Sequence, residues 1–438
     1  MQDLENNQKQ SNMQKVALTA LAGTSIEWYD FFLYGAAAAL IFPTAFFGEM
    51  PPTTALLLSL LTFAAGFIAR PIGGIIFGHF GDKVGRKKTL ISALMLMGIS
   101  STLIGLLPTY AMIGVAAPIL LTSLRFAQGL AIGGQWGGAM LLVTESAPSN
   151  QRGYYGAFAQ AGAPIGVILA NLALIITSAL VSEEFFNTWG WRIPFLASAV
   201  LILISMYIQL NLEDTDAFKA LVNNKGAQSD ENIKKSPVIE AIKKYPKRIF
   251  LAAGAFLSVQ VTFYILIAFM LAYGVTSANM ARDDMLAAVL IASAIMVPIQ
   301  FVFSSYSDRH GRKGIFMLGA VLTGIWAFVI FPLVDTGNFY LIVLAITGGL
   351  VFLAMMYGPQ AAFFTELFST EVRYSGATLG YQFGAIVGGA FAPTIAVKLW
   401  TEFDIIWVSA YIALASLLTL ISVMALTETY QSDLNNTD

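Results

Sequence analysis

Residues 78–88 read GHFGDKVGRKK and residues 304–313 read SSYSDRHGRK. Asp82, Lys83, Gly85, Arg86 and Lys87 of the first stretch align with Asp308, Arg309, Gly311, Arg312 and Lys313 of the second, 226 residues later. Another correspondence runs at nearly the same offset: Glu145 precedes Arg152 by seven positions and Glu366 precedes Arg373 by seven, 221 residues further on. Two independent matches at close to one offset indicate a duplicated half. Both charged loops follow long apolar runs, so the duplicated unit is a set of hydrophobic segments.

The 438 residues are 57% hydrophobic and 11% charged, against about 25% charged in an ordinary soluble domain. Apolar runs of about 20 residues or more, each enough to cross a bilayer core, recur from end to end. They predict an all-α membrane protein with twelve spans: 16–43, 54–80, 88–108, 112–145, 153–181, 191–212, 247–273, 284–306, 314–334, 339–367, 374–399 and 404–427. An even number puts both termini on one side. Lys and Arg accumulate in short cytoplasmic loops. Here they crowd the amino terminus, the loops after even-numbered spans and a central segment, leaving Arg192, Arg282 and Lys398 opposite and Arg70 and Arg125 inside spans. Both termini are therefore expected in the cytoplasm. The six-helix halves are expected at 1–212 and 247–438, joined by a cytoplasmic linker, 213–246. Its Lys234, Lys235, Lys243 and Lys244 read as a solvated topology signal, or as an amphipathic helix on the bilayer surface. The first span follows a polar, Asn- and Gln-rich head and carries acids in its middle, unlike a cleavable signal peptide. The absence of cysteine excludes disulfides and Cys-ligated metals. His79 and His310 both fall in loops and cannot form an intramembrane metal pair. With no Walker loop and no His-containing metal motif, no enzyme activity, cofactor, metal or nucleic-acid partner is expected.

The DKVGRKK loop and its degenerate partner SDRHGRK resemble the signature loop of the major facilitator superfamily, and Arg125-Phe-Ala-Gln-Gly129 matches the RxxQG pattern of that superfamily's fourth helix. The resemblance covers essentially the whole chain. It implies 3+3 inverted repeats nested in each six-helix half and a substrate site between the halves near the midplane. More narrowly, SIEWYDFFLYG, ARPIGGIIFGHFGDKVGRKK, RFAQGLAIGGQWGGA and ELFSTEVRYSGATLG resemble the metabolite:H⁺ symporters, the carriers of shikimate, α-ketoglutarate, citrate and proline/betaine, and are most similar to the shikimate type. One departure is Gln135, where many relatives have the glutamate of GGEWGGA. The resemblance implies a monomeric, proton-coupled importer of a small organic acid in the inner membrane, working by alternating access in the lipid bilayer. A zwitterion such as proline, betaine or carnitine is the alternative substrate, and a non-transporting membrane sensor or enzyme the remote one.

The stretch AGTSIEWYDFFLYG, 22–35, buries two acids in the first span. A charge at the bilayer centre costs a few kcal/mol, so intramembrane ions face a partner or an aqueous cavity. At about 1.5 Å rise per residue, Glu27 and Arg70 lie a little to the cytoplasmic side, Asp30 near the midplane and Arg125 toward the outside. Glu27 and Asp30, at i and i+3, share one helix face with Gly23 and Tyr34. A carboxylate beside an arginine is held ionised, and loss of that partner favours the neutral form. Asp30 is the expected carrier of the coupling proton, with Arg125 its alternating partner and Glu27 held by Arg70 or supporting it. A fixed ion-pair network that only orders spans 1, 2 and 4 is the structural alternative.

Arg70 and Arg125 also suit a substrate carboxylate, which the guanidinium fork grips bidentately. Trp28, Tyr34, Gln128, Gln135, Trp136, Gln160 and Asn171 from the first half, and Gln260, Tyr264, Tyr357, Gln360, Tyr381 and Gln382 from the second, are candidates to complete the site. Any one of them is more often an interhelical hydrogen bond. In the loops, Asp82 with Gly85, Arg86, Lys87 and Lys88 reads as a charge latch around a tight turn, repeated as Asp308 with Arg312. Glu145 with Arg152 and Glu366 with Arg373 are expected to join it. Gly133, Gly134, Gly137 and Gly138 predict close helix packing, and Gly358-Pro359 a distortion of span 10. Span 5 has Gly162-Ala-Pro164-Ile-Gly166, which departs from the GxxxGPxxGG pattern of antiporters and favours symport.

Overall fold

A computed structural model describes residues 2–84, 86–213, 237–369 and 373–430, with side chains left out at 2–12, 78–84, 86–90, 134–139, 141–142, 146, 208–213, 237–240 and 374. Among the described residues there are twelve long helices and no strand. They are α1 (Gln2–Leu40), α2 (Pro52–Val84), α3 (Arg86–Leu106), α4 (Ala116–Ser146), α5 (Arg152–Leu180) and α6 (Ile193–Glu213). The second half has α7 (Pro246–Thr276), α8 (Arg282–His310), α9 (Arg312–Val334), α10 (Phe339–Glu366), α11 (373–402) and α12 (Ile405–Ala425).

Ten helices are long and apolar enough to cross a membrane, and α3 contributes a shorter apolar stretch, Ile91–Leu106. The remaining helix, α1, is the one whose hydropathy Glu27 and Asp30 lower. Its helix starts well before the apolar run because 2–22 holds neither Gly nor Pro, and its Gln, Leu, Lys and Ala residues favour helix. Most of the predicted linker, 214–236, lies outside the described residues. Its end forms a short helix, Pro237–Lys244, on which Ala241 is buried and Ile242 exposed.

Within the first half α2 lies against α4 at backbone contact. A Cβ on Gly73 would strike the carbonyl of Leu130, and one on Gly129 or Gly133 would strike the carbonyl of Gly66 or Arg70. Only glycine permits this approach, and it sets Arg70 and Arg125 side by side. Gly133 thus packs as expected, whereas Gly134, Gly137 and Gly138 lie outside the described side chains. The halves meet where α5 packs along α8 and α10, and where α2 packs along α11.

The expected distortion of α10 is not found: the helix runs unbroken through Pro359. Gly358 instead serves close approach, since a Cβ there would lie 2.6 Å from Ser304 Oγ and 2.7 Å from the Gln300 carbonyl of α8. The irregular backbone lies in α7 and α11. Helix α7 is interrupted at Phe256 and has a π-turn at Ile265–Phe269, and α11 has a π-turn at Ala385–Ala390 before Pro393. Such turns inside α-helices recur at functional sites. These two adjoin Tyr264 and Gln382.

Candidate functional site

Asp30 and Arg70 are 1% exposed and Arg125 is 0% exposed, so three ionisable groups are fully enclosed at the core of the first half. Both arginines sit among aromatic rings. The Arg125 guanidinium carbon lies 4.2 Å from the Phe31 centroid, 4.3 Å from Tyr34 and 4.6 Å from Phe63. That of Arg70 lies 4.4 Å from Phe31, 4.4 Å from Phe67 and 5.4 Å from Trp28. A desolvated cation gains about 2 kcal/mol from such a ring face. Arg125 Nη1 donates to Gln128 Oε1 at 3.0 Å, and Gln128 Nε2 donates to Ser101 Oγ at 2.7 Å. Tyr34 Oη shares a 2.6 Å hydrogen bond with Thr62 Oγ1.

What these charges leave unmade is informative. Nε and Nη2 of Arg70, Nε and Nη2 of Arg125, and both carboxylate oxygens of Asp30 are buried without a hydrogen-bond partner. Among the described residues Asp30 forms no ion pair; the Ser101 and Ser198 hydroxyls flank it. The direct Asp30 to Arg125 contact expected from their depths is therefore absent in this state. Glu27 stands one turn earlier on α1 and is half-buried. Buried polar groups are nearly always satisfied, and those that are not call for an explanation.

Next to Arg70 a narrow cavity runs between the halves, with room for about one water molecule. Its walls are Trp28 and Phe32 of α1, Ala163 of α5, Phe256, Val259, Gln260, Phe263 and Tyr264 of α7, Leu353 and Tyr357 of α10, and Tyr381 of α11. Of the expected site residues, Trp28, Gln260, Tyr264, Tyr357 and Tyr381 line it. Gln160 lies at its edge, donating to the Tyr357 carbonyl at 3.2 Å and to Gln360 Oε1 at 3.5 Å across the halves. Gln382 is buried with Oε1 unpartnered. Gln128 and Tyr34 support Arg125 rather than line the cavity. Asn171 is remote from the cavity, donating to the Leu286 carbonyl at 3.2 Å. Gln135 and Trp136 lie outside the described side chains. The reading from sequence missed Phe31, Phe63, Phe67, Phe256 and Phe263. Phe63, Phe67 and Arg70, at i, i+4 and i+7, share one face of α2, a spacing that could have flagged two of them.

The halves are tied at both ends. On the face of the termini, Asp308 accepts from the backbone N–H groups of Gly153 and Tyr154 at 2.8 Å each, at the start of α5, where the helix dipole favours a negative charge. Arg373 reaches Glu145 at 3.5 Å and Arg152 reaches Glu366 at 3.9 Å, both across the halves. Each of these acids thus meets the arginine of the other copy. Arg312 binds Asp308 at 2.7 Å and grips Glu366 with Nη2 at 3.0 Å and Nε at 3.2 Å. The tight turn between α8 and α9 is made by Gly311, whose φ of 99° suits glycine alone. Beyond α12, Glu428 accepts from the N–H groups of Arg312 and Lys313 at 2.9 Å each, and Thr429 donates to Glu366 at 2.9 Å. Partial burial pushes the Glu428 carboxyl up, but the N–H groups of Lys313, Arg312, Tyr430 and Thr429 outweigh it and hold the pKa below the ordinary value. Asp82, Arg86 and Lys87 lie outside the described side chains.

On the opposite face, Ser178 Oγ donates to Asp283 Oδ2 at 2.8 Å, Arg282 Nη1 donates to Asn187 Oδ1 at 3.2 Å, and the Arg282 guanidinium lies 4.1 Å from the Phe186 ring centroid. Contacts between the halves are thus present at both ends of the molecule.

A family model described as Major Facilitator Superfamily matches residues 20–393. The chain belongs to the major facilitator superfamily. Such a protein is a multi-pass membrane transporter and not an enzyme. The chain is 40% identical to the inner membrane metabolite transport protein YhjE of Escherichia coli (strain K12), over 97% of this chain and 96% of that one. It is 38% identical to the shikimate transporter of the same organism over 92% of both chains, and 33% identical to its proline/betaine transporter over 91% of this chain and 80% of that one. The proton:xylose symporter XylE bound to 6-bromo-6-deoxy-D-glucose shares the fold, with a TM-score of 0.73 at 17% identity over 98% of each chain.

Proposed function

We propose that this transporter imports a small organic acid together with a proton, by alternating access, as a monomer with both termini in the cytoplasm. The observation that carries the reading is the pair of fully buried guanidiniums, Arg70 and Arg125, whose unpartnered N–H groups accompany a single fully buried carboxylate with unpartnered oxygens. These two fully buried cations, beside one fully buried acid and with the part-buried Glu27 one turn away, suit a substrate carboxylate gripped bidentately. Asp30, held by no ion pair, gains or loses a proton without breaking one. Neutral Asp30 leaves the site more positive and favours the anion; ionised Asp30 opposes it. Proton and substrate therefore load together and leave together. In this scheme residues 1–212 and 247–438 rock about the cavity, joined by 213–246. The contacts on the face of the termini close the cytoplasmic side, and Asp82, Arg86 and Lys87 serve the same latch. Gln135, Trp136, Gln160, Tyr264, Tyr357, Gln360 and Gln382 complete the site as it opens.

The test is a thermal-shift panel of shikimate, α-ketoglutarate, benzoate, proline and glycine betaine, followed by uptake into liposomes with an imposed proton gradient. Asp30→Asn is expected to abolish proton-driven accumulation while leaving exchange across the membrane; full accumulation by that variant would remove Asp30 from the role. One observation favours a zwitterion: the cavity walls Trp28, Phe32, Phe263, Tyr264, Tyr357 and Tyr381 form the aromatic surround that suits a quaternary ammonium. Stabilisation by betaine and by none of the three acids would establish that second reading.

A further inference from the structure

We infer that Phe31 is a positioning residue that holds Arg70 and Arg125 together as one receptor for a carboxylate, an inference that rests on the site proposed above. Phe31 is 1% exposed and is the neighbour in sequence of Asp30. Each arginine has rings of its own, Phe67 and Trp28 for Arg70, Tyr34 and Phe63 for Arg125. Among the described residues Phe31 is the ring they share, its centroid 4.4 Å from the Arg70 guanidinium carbon and 4.2 Å from that of Arg125.

Two like charges in a dry interior repel strongly, and Asp30 pairs with neither. The negative ring face of Phe31 attracts both cations at once, and it does so without using their N–H groups: Nε and Nη2 of each arginine remain unpartnered. Aliphatic packing of equal volume would fill the space but offer no negative face, so the arginines would separate or turn their donors toward other acceptors. Fixing both guanidiniums before a ligand arrives reduces the rotamer freedom lost on binding.

The test dials down the ring's electrostatics at nearly constant size, with mono-, di- and trifluorinated phenylalanine incorporated at position 31. In the otherwise native chain the unfolding temperature of the substrate-free protein should fall with each fluorine. Arg70→Met or Arg125→Met should each leave about half that slope, the remaining cation still contacting the ring, and the double variant should leave none. Of shikimate, α-ketoglutarate and benzoate, the acid that stabilises the native chain should bind Phe31→Leu with about tenfold lower affinity, as expected when two guanidiniums must be ordered on binding, and Phe31→Tyr almost as tightly as native. A flat fluorine series in the native background, or the same slope with and without the arginines, overturns the inference. Normal transport by both arginine variants would overturn the site itself while leaving the fluorine slopes intact, so the two failures are distinguishable.

Discussion

The two ends of the molecule are closed by different chemistry. On the face of the termini the contacts between halves are charged and buried: Asp308 is 4% exposed at its side chain, Arg373 3% and Arg152 9%. On the opposite face the side chains of Arg282 and Asp283 are 21% and 45% exposed. Removing one partner of a buried charged contact costs about 3–5 kcal/mol, whereas an exposed ion pair contributes about 0–1 kcal/mol. The two closures look equivalent as contact geometry, yet one is a lock and the other a light catch. On the proposed alternating-access reading, the equilibrium between access states is therefore governed mainly by the face of the termini.

The largest expected effect comes from removing Asp308, which accepts two backbone N–H groups at the start of α5, in the other half. Asp308→Ala loses hydrogen bonds to a charged group, about 1.5–3 kcal/mol each before relaxation, and should shift the state distribution toward opening on the face of the termini by about a hundredfold. Cysteine labelling on each face reads the shift; equal labelling in variant and native chains would break the contrast drawn here. A smaller effect of opposite sign is expected from Arg282→Ala, about 1 kcal/mol for a partly exposed cation leaving Phe186 and Asn187, with labelling rising on the opposite face. Because the sites lie at opposite ends and share no partner, the double variant should show the sum of the two shifts. The smallest effect concerns Glu428. Its pKa is depressed in the folded state, so its capping of α9 contributes stability above the ordinary carboxylate range and loses it as pH falls through the depressed value. Glu428→Gln should lower the unfolding temperature modestly at neutral pH and flatten its acid dependence; an unaltered acid limb would show that the cap adds nothing to the lock.

Much of this arrangement was legible in the sequence because lipid makes patterns stark. Twelve apolar runs stand out when charges are scarce, and a loop as polar as SSYSDRHGRK can be matched to its copy across 226 residues. Offsets, however, report equivalence and not partnership: they related Glu145–Arg152 to Glu366–Arg373, while the fold crosses them, Glu145 to Arg373 and Arg152 to Glu366. Phe31, Phe63 and Phe67 were hidden because a phenylalanine inside an apolar span looks the same whether it faces lipid, core or a cation. The breaks of α7 gave no warning either, since Phe256 and 265–269 contain neither Gly nor Pro, and Pro359 suggested a bend where the helix stayed whole. Arg282 stood out as an exception to the charge bias, but its meeting with Phe186 required the tertiary structure.

Thr144 Oγ1 and Thr365 Oγ1 lie 3.2 Å apart and 221 positions apart in the chain, the same separation that relates Glu145 to Glu366 and Arg152 to Arg373. Each threonine therefore touches its own duplicate, and the crossed ion pairs are related to one another as by a two-fold rotation about that point. This is the form of an isologous contact, in which a surface meets itself across a two-fold axis. The seam between the halves thus has the geometry of a homodimer interface contained within one polypeptide. Arg70, Arg125 and Asp30 all belong to the first copy, whereas the interrupted helices α7 and α11 belong to the second. A surface that in a homodimer would have to satisfy both subunits at once is here two different ones, the first holding charge and the second supplying irregular backbone.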